Sequence, residues 1–139
     1  MSSKNLKNNS RVIIIQKLYS KFLNSDNELN FSKHRFKKFI KDVVLGTIER
    51  IELIEETINE NLKDDIIDKK TDKLIIILLQ AAVFEFLYKP QTSVNIIINE
   101  YLIASSAFID DKQKNYLNAL LDKISKKIRN NDKWIWNNI

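Results

Sequence analysis

The stretch LIIILLQAAVFEFLY, residues 74–88, decides the fold. Only Gln80 and Glu85 interrupt its apolar run, and it falls short of the roughly 20 residues that a bilayer crossing needs. At helical spacing it is apolar nearly all round, so several other helices must cover it. It reads as the buried centre of a soluble protein, with no membrane association. Thr71 or Asp72 can cap its start, and Pro90 forces an end just beyond it.

The flanking segments have the stripes such a centre requires. Upstream, Ile15, Leu18, Tyr19 and Phe22 follow one face of a first helix that Ser10 can cap. Phe36, Ile40, Val43, Val44, Ile48, Ile51, Ile54, Ile58 and Leu62 then keep steps of three or four, which predicts one long helix or two joined near Gly46. The charged segment from Asp64 to Lys70 reads as a loop. Downstream, Ser93 is placed to cap a helix carrying Ile96, Ile97, Glu100, Tyr101 and Ala104, and a break follows around Phe108 to Asp111. Leu117, Leu120, Leu121, Ile124 and Ile128 mark the core face of a last helix, with Lys112, Lys114, Lys123, Lys126, Lys127 and Arg129 around the rest. With one glycine and one proline in 139 residues, turn chemistry for a sheet is missing and the fold class is all-α. Residues 1–129 read as a single helical domain, and residues 130–139, with Trp134 and Trp136, as a C-terminal tail.

The residue inventory argues against catalysis. There is no cysteine and one histidine, so cysteine nucleophiles, disulfides and thiolate metal sites are excluded. His34, inside the basic string Lys33 to Lys38, reads as an ordinary exposed side chain. Asp64, Asp65 and Asp68 lack the glycine and terminal glutamate of a calcium loop, and no glycine-rich phosphate loop exists. No catalytic residue, metal site or cofactor is expected. The polar start, MSSKNLKNNSR, followed by only Val12 to Ile15 before Gln16, is unlike a signal peptide.

Binding remains, and the charge distribution suggests to what. Lys4, Lys7, Arg11, Lys17 and Lys21 all precede the first acidic residue, Asp26, whereas acidic residues dominate from Glu49 to Asp72. Such polarity suits two partners, one of them anionic. Clustered cations attract a phosphate backbone through counterion release, and Tyr19 and Tyr116, each near lysines, offer rings on which unpaired bases can stack.

Several segments carry a resemblance. RVIIIQKLY, residues 11–19, resembles the opening signature of the NusB family, an arginine followed at fixed spacing by glutamine and then leucine-tyrosine. FEFLY, 84–88, is similar to the aromatic-glutamate-leucine end of that family's central helix. VNIIINEY, 94–101, resembles its segment ending in asparagine-glutamate, and YLNALLDK, 116–123, its terminal motif, with Ala119 where the family has glycine. The resemblance implies two small helical bundles packed around an apolar central helix. It also implies a transcription antitermination factor that binds boxA-type single-stranded RNA together with NusE, a ribosomal protein, and reaches other Nus factors and RNA polymerase indirectly, in the cytoplasm. Position by position, Arg11, Gln16 and Tyr19 fall on the RNA-facing helix and Tyr116 on the aromatic position of the last motif, with Lys114 beside it. Lys4 and Lys7 correspond to the basic arm and Asp72 to the NusE-facing surface. A related possibility is an RNA-binding or self-associating helical module, a homodimer, acting in ribosomal RNA maturation.

Overall fold

The computed structural model describes residues 6–62 and 71–137, with side chains as far as Arg129. These residues form six helices: α1 (Ser10–Leu23), α2 (Lys37–Glu49), α3 (Ile51–Leu62), α4 (Lys73–Tyr88), α5 (Val94–Ser105) and α6 (Asp111–Asn137). Among the described residues there is no strand, and no helix is long and apolar enough to cross a membrane.

The apolar run at 74–88 becomes α4, and every residue from Ile77 to Phe86 is buried. It packs against all five other helices, which is what a segment without a polar face demands. α1 and α2 pack on each other, as do α5 and α6, while α3 lies against α2, α4 and α6. The result is an all-α fold in which two helical sets share α4 as their common wall. Ile14, Ile15 and Leu18 from α1, Val43 and Val44 from α2, Ile54 from α3, Ile97 from α5 and Leu117 and Leu121 from α6 meet it in one core.

The starts of α1, α4 and α5 follow capping chemistry, with one change from expectation. Asp72 caps α4 by accepting the Leu74 N–H at 2.7 Å, and Ser93 caps α5 by accepting that of Ile96. α1 is capped by Asn9, not Ser10: the Asn9 side chain accepts from Arg11 and Val12, and Ser10 becomes the first helical residue. Asn and Ser are equally good caps, so local preference alone does not choose between neighbours.

The joint between α2 and α3 also falls elsewhere than at Gly46. The chain bends at Arg50, and Gly46 lies inside α2. Its lack of a side chain has a tertiary cause: a β-carbon there would come within 2.3 Å of Phe84 Cζ. Glycine costs a helix interior about 1 kcal/mol relative to alanine, and here it admits the Phe84 ring of α4 against the α2 backbone. The C-terminal segment is the third change. α6 continues past residue 130 to Asn137, so the expected tail is helical over most of its length. The acidic loop with Asp64, Asp65 and Asp68 lies outside the described residues.

Candidate nucleic-acid interface

The residues proposed from the sequence divide into those that face solvent and those that do not. On α1, Gln16 and Tyr19 are exposed three residues apart, and Tyr19 has 36 % of its surface accessible. Tyr116 near the start of α6 has the same exposure. Lys7 is exposed just ahead of α1, and Lys4 lies outside the described residues. Lys114 is half-buried and donates to the Ser106 hydroxyl at 3.0 Å, so its ammonium is tied to the turn between α5 and α6. α1 and α6 share no extensive packing, and α4 and α5 each pack on both. Tyr19 and Tyr116 therefore stand on different helical sets, joined through the core.

Arg11 is placed differently from the exposed cation that an RNA contact would require. Its guanidinium turns inward and grips the Glu85 carboxylate with two hydrogen bonds, Nη2 to Oε1 at 2.7 Å and Nε to Oε2 at 3.2 Å. Glu85 is fully buried, and Arg11 retains only 13 % side-chain exposure. The guanidinium carbon also lies 4.7 Å from the centre of the Phe39 ring and 5.7 Å from that of Tyr101. The Tyr101 hydroxyl donates to the same carboxylate. One ion pair thus connects α1, α2, α4 and α5. A carboxylate without water needs both a counter-charge and hydrogen bonds, and Glu85 receives both. Burial opposes the Arg11 charge, yet the bonds and charge of Glu85 outweigh it and raise the pKa.

Tyr101 has the converse response. Burial, then the negative charge of Glu85, pushes its phenol well above its ordinary value. The unfolded chain therefore loses this proton first. Stability from this group is present below the ordinary tyrosine value of 10.0 and declines as pH rises beyond it. Tyr101→Phe should cost about 1–3 kcal/mol at neutral pH, because a buried acceptor loses a donor, and should make the alkaline decline shallower. Urea unfolding of both proteins from neutral to alkaline pH checks this; an equally steep decline in the variant would exclude Tyr101 as its cause.

Two further residues make structural contacts that the sequence reading did not give them. Asp72, expected on an exposed partner surface, is half-buried: Oδ1 caps α4 and Oδ2 accepts from Gln113 of α6 at 3.2 Å. Arg129, expected among the solvated cations of the last helix, is 8 % exposed. It donates to the carbonyls of Phe86 (2.7 Å), Lys89 (3.1 Å) and Thr92 (3.1 Å). The end of α4 leaves carbonyls without helical partners, and a cation there also complements the helix dipole. His34 too is held rather than free, with Nε2 2.8 Å from the Asn8 carbonyl and Nδ1 accepting the Phe36 N–H.

The model of the NusB family matches residues 5–126. The chain belongs to the NusB family. Among curated NusB relatives, the transcription antitermination protein NusB of Rhizobium etli is 30 % identical over 95 residues, 68 % of this chain and 59 % of that protein. The one of Sinorhizobium fredii is 30 % identical over 91 residues, 66 % of this chain and 57 % of that protein. The matched stretch therefore spans less than two thirds of these NusB relatives. The solved structure of NusB from T. maritima superimposes with a TM-score of 0.70 at 17 % identity, covering 84 % of this chain and 88 % of that one. At that identity the likeness shows a common NusB fold. Glu85, in the aromatic-glutamate-leucine segment, is the residue whose importance sequence reasoning missed. A lone carboxylate in an otherwise apolar helix, with an arginine at the first helix, was the available signal.

Proposed function

We propose that this protein is a transcription antitermination factor. It binds boxA-type single-stranded RNA together with NusE and so suppresses premature termination, notably in ribosomal RNA transcription. Membership of the NusB family over residues 5–126 carries this reading. The exposed rings of Tyr19 and Tyr116 and the exposed Lys7 support it chemically. In this reading the work is binding rather than bond-making: cations hold the backbone and the rings take unstacked bases. Other Nus factors and RNA polymerase are engaged indirectly, in the cytoplasm. Gln16 and Lys114 belong to the same proposed RNA site, and Lys4, outside the described residues, is a further proposed RNA contact.

The test is a gel-shift titration of boxA-type and scrambled RNA, each with and without NusE. Tyr116→Ala should weaken boxA binding by the equivalent of about 1–3 kcal/mol and scrambled RNA by less, a difference that loss of packing alone would not produce. Tyr116→Phe should retain affinity. Equal binding of both RNAs by the parent protein would overturn the reading. For NusE, Asp72→Asn is the informative variant, since asparagine still caps a helix while the charge is removed; unchanged NusE affinity would take Asp72 out of that interface.

Self-association is a second reading, favoured by Leu23, 64 % exposed on the same helix as Tyr19. A homodimer through α1 would be dissolved by RNA in light scattering if the two surfaces overlap.

A further inference from the structure

From Asn30 to Lys41 the chain holds Lys33, Arg35, Lys37, Lys38 and Lys41 and no acidic residue. The RNA surface described above uses none of them. This run leads into α2, whose first turn also lacks an acid, and it is tied back to the start of α1 by His34. With Nδ1 accepting the Phe36 N–H, Nε2 is the nitrogen that donates to the Asn8 carbonyl. The two contacts hold the loop in place.

The tie encloses a cleft of about 220 Å³. Lys17, Phe31, Lys33, His34 and Lys37 line it with Asn8, and among the described residues no Asp or Glu contributes to its walls. Lys17 donates to the Asn30 carbonyl and sits 5.2 Å from the centre of the Phe31 ring, so its charge is fixed at the wall. Lys33 and Lys37 are exposed, and neither has an ion-pair partner among the described residues. Asn8, one side of the cleft, directly follows the exposed Lys7.

We propose that this cleft is a nucleotide-binding subsite for single-stranded RNA, with a backbone phosphate between Lys33 and Lys37 and the sugar-base end against Phe31. The inference rests on the RNA-binding reading above and extends it to a second face of α1. Ile13 and Lys17 point to the cleft, whereas Gln16 and Tyr19 are exposed outside it. Lysine ammonium groups bind a phosphate as point charges. The adjoining aromatic wall suits a nucleotide rather than a free anion.

The test uses the full chain and two double variants: Lys33→Gln with Lys37→Gln inside the cleft, and Arg35→Gln with Lys38→Gln as a control that removes equal charge from the same run outside it. Affinity for boxA-type RNA is titrated against salt, and the ring protons of His34, the sole histidine, are followed by NMR on adding a short oligouridylate. The cleft variant should flatten the salt dependence of log affinity by about 0.7, the value of one single-strand phosphate, and so weaken binding about fivefold at 0.1 M salt. The control should leave the slope unchanged, and the His34 signals of the parent should move. Equal slopes for both variants, or an unmoved His34 in a protein that still prefers boxA-type RNA, would overturn the subsite and leave the proposed function standing. A parent with no RNA preference whose His34 still moves would do the reverse. Displacement of the oligouridylate by polyglutamate at equal charge would overturn the nucleotide assignment.

Discussion

Arg11→Ala is expected to destabilise the protein by about 3–5 kcal/mol, because it leaves the Glu85 carboxylate charged and buried without its counter-ion. The loss is not that of one surface contact. Glu85 has no exposure, and the Tyr101 hydroxyl alone remains to satisfy it. In a chain of this size the thermal midpoint should fall by about 10 °C or more. The double variant Arg11→Met with Glu85→Leu should recover most of the deficit, since replacing a whole buried pair by apolar groups is often neutral or better. The comparison separates a buried pair from an exposed RNA cation. A parent-like midpoint for Arg11→Ala, with RNA affinity reduced as strongly as by Tyr116→Ala, would mean that the guanidinium serves RNA and not the core.

Leu79→Ala should cost about 2–5 kcal/mol, the range for a buried leucine whose removal leaves a cavity. Leu79 has no exposure and lies in the middle of α4, which all five other helices cover. Packing from every side leaves little room for collapse into the space, which places the expected loss in the upper half of that range. Denaturant unfolding measures it: the midpoint should fall with an unchanged slope. A variant unfolding at the parent's midpoint would show that the α4 surroundings are not close-packed.

Where a residue's role depends on neighbours three or four positions away, sequence reasoning reached most of it, the Asn9 cap of α1 and the joint at Arg50 excepted. The α4 burial, the Asp72 and Ser93 caps, the α6 core face and the break after α5 are all of that kind. Where the role depends on a partner far along the chain, it did not. Arg11 and Glu85 are 74 positions apart, and Arg129 meets Phe86 across 43. Both arginines read as surface cations because most arginines are. Asp72 was half legible: its cap is local, whereas its bond to Gln113 spans 41 positions. For the candidate RNA surface, residue types were legible and orientation was not. Gln16, Tyr19 and Tyr116 face solvent, while Arg11, from the same signature, turns into the core.

By itself the amino-acid sequence determined the all-α fold class, that residues 74–88 are its buried centre, and that cysteine chemistry and a glycine-rich phosphate loop have no residues to carry them. These follow from periodicity and composition, which act over a turn or two of helix and need no knowledge of what packs where. Only the tertiary structure decided which cations are spent on the interior and which remain for a partner. It turned Arg11 onto Glu85 and Arg129 onto the end of α4, placed Gly46 beneath Phe84, and folded the basic run at Lys33 against the start of α1. The physical reason is that a charge is buried only when a distant carboxylate or a row of carbonyls meets it, and that meeting exists only once the helices have packed.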